Sequence, residues 1–146
     1  MKFLCIAVLT VCAMAMDKKV KLEDLPPAVQ AAVKDQTKNA TLVGLSTEKE
    51  KGKTLYEIET RLNGKSRDLL LDQSGRVIET EEEVDMASLP APARTALQKR
   101  SVGEVIQKVE KVTAGNTVSY EGTIKTKTGK TIEYAVTADG KTKKQD

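Results

Sequence analysis

Two stretches of this sequence repeat each other landmark by landmark, and a chain so built folds as two copies of one small unit. Asp24-Leu25-Pro26-Pro27 in the first half faces Ser88-Leu89-Pro90-Ala91 in the second, an offset of 64 residues. Tyr56-Glu57 faces Tyr120-Glu121 at the same offset. Asn63-Gly64-Lys65 faces Thr128-Gly129-Lys130 and Ser74-Gly75-Arg76 faces Asp139-Gly140-Lys141, both at 65, which marks one residue inserted in a hairpin. Self-similarity at a fixed period identifies a duplicated supersecondary unit.

The residues between the landmarks give each unit its elements. A leucine before proline is held out of the helical region, while proline suits the first helical position. Helices are therefore expected to start at Pro26 and Pro90 and to end near Gln36 and Arg100. Leu25, Val29, Ala32 and Val33 follow the spacing of a single buried stripe, and Leu89, Ala93, Ala96 and Leu97 repeat it. Strands follow. From Thr54 to Leu62, alternation puts Tyr56, Ile58 and Leu62 on one face and Glu57, Glu59 and Arg61 on the other. The second copy turns Val118, Tyr120 and Ile124 inward.

Asn63-Gly64 is a strong tight-hairpin signal and Thr128-Gly129 a weaker one. The returning strands carry Leu69 and Leu71 in one copy and Ile132, Tyr134 and Val136 in the other. After the Gly75 and Gly140 turns, strands are expected at Arg76 to Thr80 and Lys141 to Lys144. Thr41 to Glu48 opens the first sheet. Its counterpart, Glu104 to Val112, would also make a helical stripe, and the repeat register assigns it as a strand. The expected fold class is α+β: two tandem repeats, each a short helix packed on a four-stranded antiparallel sheet.

The first residues read as an export signal. Met1-Lys2 gives a positive start, Phe3 to Cys12 is an apolar run, and Ala13-Met14-Ala15 supplies the small-x-small pattern of a cleavage site. A run of about ten residues is too short to cross a bilayer as a helix, which takes about 20. The expected organisation is a signal peptide over 1–15, a mature tail over 16–23, and repeats over 24–84 and 85–146. Cleavage after Ala15 would leave a periplasmic or secreted protein without cysteine, since Cys5 and Cys12 both lie before it. Disulfides are then excluded, and stability must come from aliphatic burial. The net charge of +3 falls to +2 once Lys2 is removed, which implies neither a nucleic-acid partner nor a membrane partner after signal cleavage.

The ordered landmarks, namely the Leu-Pro helix openings (Leu25-Pro26, Leu89-Pro90), the Tyr-Glu strands and the closing Gly75-Arg76 and Gly140-Lys141 turns, resemble the PepSY-like family. Its tandem forms are described as β-lactamase-inhibitor-like. The resemblance covers nearly all of the chain beyond the signal. It implies an exported bacterial protein with a helix packed on an antiparallel sheet; with the duplication, the export signal and the missing catalytic side chains, the expected role is a non-catalytic module that binds a protein or peptide in the cell envelope. Inhibition or modulation of an envelope enzyme, a peptidase or a β-lactamase, is the function the resemblance suggests. This chain departs from the inhibitors in lacking their aromatic-rich contact surface and their disulfides.

The chemistry-bearing residues are few. With no histidine and no cysteine beyond the signal, structural zinc sites, Ser-His and Cys-His nucleophile pairs and histidine acid–base catalysis are excluded. No catalytic, cofactor-binding or metal-binding residue is assigned, and no cofactor is expected. Ser46-Thr47-Glu48-Lys49 fits S-x-x-K and Lys127-Thr128-Gly129 fits K-T-G, a pairing known from serine hydrolases. A small hydrolase using Ser46 and Lys49 is thus the enzyme-class alternative. Asp72 and Asp139 read as turn residues, and Glu57, Glu59 and Glu121 as a solvated sheet face where nothing raises a pKa. The acidic run Glu79 to Asp85 reads as a solvated strand end or linker. Its alternatives are a docking patch for a basic partner and a weak cation site, the latter in a cation-buffering or structural periplasmic protein.

Overall fold

A computed structural model describes residues 18–143; the expected signal and its cleavage site after Ala15 lie outside the described residues. The chain forms one antiparallel sheet of eight strands laid down in sequence order. The strands are β1 (Lys18–Lys19), β2 (Thr41–Glu50), β3 (Lys53–Leu62), β4 (Lys65–Leu71), β5 (Val77–Glu83), β6 (Val105–Ala114), β7 (Thr117–Lys125) and β8 (Thr131–Thr137). Two helices interrupt the meander, α1 (Pro27–Gln36) before β2 and α2 (Ala91–Arg100) before β6. Neither is long or apolar enough to cross a membrane.

Both helices begin one residue later than the prolines suggested, with Pro26 and Pro90 as N-caps. In the first copy Pro27 explains the offset, because it holds Pro26 in an extended conformation at ψ 145°. The helices end at Gln36 and Arg100 as expected. Their apolar stripes bury on the sheet as two clusters. Leu25, Val29 and Val33 meet Tyr56, Ile58, Leu69 and Leu71. Leu89, Ala93 and Leu97 meet Val109 and Val136, with Tyr120 and Tyr134 partly buried beside them. Polar contacts add to each junction: Arg67 Nη2 donates to Gln36 Oε1 at 2.7 Å, and the Arg100 guanidinium stands 5.6 Å from the Tyr134 ring centre.

The repeat register was right about β6, the segment whose periodicity also fitted a helix. It also locates matching irregularities, since the pairing of β2 with β3 slips between Leu42 and Gly44 and that of β6 with β7 slips between Ile106 and Lys108. Those positions are again 64 apart. Such bulges bend a strand and raise its twist.

Three expectations need correction. The acidic run is no solvated strand end or linker over Glu79–Glu83. It is β5, hydrogen-bonded to β4 on one side and to β6 on the other, so the repeats share one sheet instead of forming two. Residues 18–23, the described part of the expected 16–23 tail, belong to the fold. Lys18 and Lys19 pair with Thr47 and Ser46, and Val20 and Leu22 pack on the first core. At the other end, Lys141 onward makes only an isolated bridge, Thr142 to Val136, in place of a full strand, while Lys144 lies outside the described residues.

Candidate functional site

Alternation along paired strands sorts every side chain to one of two faces. Ile58 pairs with Leu69, Leu69 with Thr80 and Thr80 with Thr113. Through Thr113 this row shares a face with Val109, so both helices cover the same side of the sheet. The other side carries no helix among the described residues. It displays Glu57, Asp68, Glu79, Glu81, Glu110 and Glu121, one or two from each of five adjacent strands.

This open face is acidic at its centre and sparsely compensated. Carboxylate oxygens of Asp68, Glu81 and Glu110 lie within 4.8 Å of one another. The cation among them is Lys108, whose Nζ is 2.8 Å from Glu110 Oε1. Glu110 itself is only 4% exposed, and that same oxygen accepts no well-directed hydrogen bond. Burial raises the Glu81 carboxyl to about 8, helped by the facing charges of Glu110, Glu121, Glu79 and Asp68. Glu121 is pushed up to about 7, first by burial and then by Glu133, Glu110 and Glu79, against a pull from Lys143. Asp68 and Glu79 move the same way, again mainly through burial. At the margin the pattern reverses: the Ser66 backbone N–H donates to Glu83 Oε2 at 3.0 Å and lowers the Glu83 pKa.

Comparing the copies shows where the excess charge arises. In the first, Ser46 pairs across strands with Glu57, and its hydroxyl donates to Glu57 Oε2 at 2.8 Å. In the second, 64 residues on, Glu110 takes the place of the serine and pairs with Glu121. A satisfied hydrogen bond has become two acidic groups set directly opposite, which is an unfavourable cross-strand pair once both ionise. Gly44 is likewise replaced by Lys108, which supplies part of the missing counter-charge.

The residues singled out in the sequence fall as follows. Ser46 and Lys49 cannot act together, because three residues along a strand put them on opposite faces. Ser46 is 6% exposed and already bonded to Glu57. Lys127-Thr128-Gly129 sits in the β7–β8 hairpin, as expected. Asp72 is a turn residue: Oδ1 accepts from the Ser74 and Arg76 backbone N–H groups at 2.9 and 3.2 Å. Asp139, the counterpart of Ser74, is also a turn residue: it accepts from the Thr137 hydroxyl, and the Lys141 ammonium 2.7 Å away helps hold its carboxyl at about 2. Tyr56 and Tyr120 face the helices, as their inward assignment required. Glu57 and Glu121 do lie on the open face, but the expectation that nothing there raises a pKa fails at Glu121 and Glu81. The sequence signal for that failure was the serine-to-glutamate exchange between copies at positions 46 and 110.

The architecture is that of a duplicated α+β protein whose two helix-and-strand repeats are fused into one eight-stranded sheet with both helices on one side. Solved structures share it. A protein described as periplasmic from Bacteroides eggerthii matches with a TM-score of 0.66 at 17% identity, over 84% of this chain and 88% of that one. A DUF2874 family protein from Bacteroides ovatus gives 0.62 at 17% identity, over 82% and 85%. A BLIP-like protein from Bacteroides fragilis gives 0.57 at 23% identity, over 84% and 86%. The expected fold is therefore found in DUF2874 and BLIP-like proteins. No family model matches the chain, and no curated protein is similar to it.

Proposed function

We propose that this chain is an exported, non-catalytic binding module of the bacterial cell envelope, which takes a protein or peptide partner on the open face of its sheet. The observation that carries this reading is the one-sided placement of α1 and α2, which leaves a sheet face of five adjacent strands uncovered and lined with half-buried carboxylates. A periplasmic location agrees with the apolar leader and with the description of the Bacteroides eggerthii structure. The repeat boundary near 84 and 85 then marks a duplication within one binding surface. An envelope enzyme such as a peptidase or β-lactamase, held against that face, is the narrower form of the proposal. The fold shared with a BLIP-like protein supports it at the level of architecture.

Photo-crosslinking separates the faces. Leu70 in β4 and Ala135 in β8 lie on the open side, through their pairing with Glu57 and Glu121, whereas exposed Lys99 is on α2. A crosslinker at position 70 or 135 is expected to give a saturable adduct in envelope extract, and one at position 99 none. Adducts from position 99 alone would place the partner on the helices and remove the proposal.

A further inference from the structure

We infer that the occupant of the open face is a lysine- or arginine-rich segment of a partner protein, whose cationic side chains reach between Asp68, Glu81, Glu110 and Glu121. This rests on the binding-module reading and gives its partner a chemistry. The whole chain carries a net +3, yet the centre of this face concentrates carboxylates from β3 to β7 around Lys108, the one ammonium in contact with them among the described residues. Lys143 acts on Glu79 and Glu121 from farther off, and the buried Glu110 Oε1 accepts no well-directed hydrogen bond. Elsewhere the same scaffold shows such a glutamate satisfied, with the Ser46 hydroxyl donating to Glu57 at the position where the second copy sets Glu110 against Glu121. The second copy therefore crowds acidic groups beyond what Lys108 offsets, and the penalty of ionising them is the pattern of a surface completed by something else.

The shape of the charge favours a cationic chain over a lone ion. Asp68, Glu81 and Glu110 are close enough to hold a metal, but Lys108 Nζ already stands at Glu110 Oε1. The remaining excess is spread along β5 and β7, over Glu79, Glu81 and Glu121. An extended segment with cations on flexible stems matches a band of this kind, whereas calcium needs six or more oxygens around one point. Glu81 and Glu121 hold protons near neutral pH, so seating cations beside them must release protons.

The test is calorimetry of the purified protein with an oligolysine peptide, an oligoglutamate control and calcium chloride alone, in two buffers of different ionisation enthalpy. Oligolysine is expected to bind, to weaken about tenfold between roughly 50 and 200 mM salt, and to release protons near pH 7.5. The double variant Glu81→Gln/Glu121→Gln should bind roughly tenfold more weakly or worse and release almost none. Glu82→Gln, the neighbour of Glu81 on the helix side of β5, should bind like the parent. An equal loss in the Glu82 variant, no loss in the double variant, or failure of oligolysine to bind, with or without binding of calcium, would each overturn the inference. A saturable crosslinked partner at position 70 or 135, indifferent to salt and to the double variant, would overturn this inference and leave the binding module standing. Failure of crosslinking at both positions would remove both.

Discussion

Raising the pH from about 5 to about 9 is expected to lower the thermal midpoint of this protein by roughly 10 °C. The cause is Glu81. A carboxyl whose folded pKa lies above its unfolded value holds its proton more tightly in the native state. Folding therefore incurs no penalty from it below the ordinary value of 4.5, and the penalty grows as pH rises towards about 8. For a group that keeps some solvent access, on the order of 3 kcal/mol is at stake, with Glu121 adding in the same direction through its value of about 7. Asp72 and Asp139 act in the opposite sense. Their pKa values are lowered by partners in the turns, so their stabilisation is lost only as pH falls below about 4. The stability maximum should lie on the acid side of neutrality, far from the sequence pI near 8.8. Glu81→Gln tests the assignment. Thermal melts should show it more stable than the parent at about pH 9 by on the order of 3 kcal/mol and nearly equal at about pH 5. A parent curve that is flat across this range would contradict it.

The second large effect is structural and occurs twice. Gly75→Ala and Gly140→Ala should each destabilise by about 3 kcal/mol in denaturant melts. Both glycines have positive φ, 77° and 83°, where an L side chain is strained. Each also lies against the helix of its own repeat. A Cβ at Gly75 would stand 2.5 Å from the Ala28 carbonyl oxygen, and one at Gly140 would stand 2.7 Å from that of Pro92. The obstacle is backbone in both cases, so no rotamer change relieves it. Gly64 is the control, with φ 82° but nothing within 4 Å of its Cβ; Gly64→Ala should cost only about 1 kcal/mol. The two sites lie in different repeats and should add, bringing the double variant close to the whole stability of a domain this size. Equal effects at positions 64, 75 and 140 would show that φ alone, and not the turn-to-helix contact, sets the cost.

These glycines also show what the sequence made legible. Gly75 and Gly140 marked the repeat, and turn chemistry explained their positive φ. Their contact with the helix depends on packing that no local pattern encodes. Local signals were strongest where one residue type decides the backbone, as at Leu25-Pro26-Pro27 and Asn63-Gly64. In β6, period alone could not separate strand from helix, and the comparison with β2 settled it. The error over Glu79–Glu83 has a clear origin. Charge runs usually mark solvated chain, but Glu79, Glu81 and Glu83 share one face, and both backbone edges of β5 are paired. That pairing is a long-range property, as is the raised pKa of Glu81, which is set first by burial and then by carboxylates brought from β4, β6 and β7.

The two repeats play unequal parts. The first satisfies its open-face glutamate with Ser46, while the second accumulates charge around Glu110 and Glu121 and brings in Lys108. Acidic groups crowded on an uncovered face, at the expense of stability once they ionise, are the basis for reading that face as functional. They can be observed without knowing the partner. Carboxyl-carbon NMR titration of Glu81 and Glu121 should give midpoints near 8 and 7 in the free protein, falling towards the ordinary range when oligolysine is bound. Midpoints near 4.5 for both residues in the free protein would show the face already neutralised and would contradict the account.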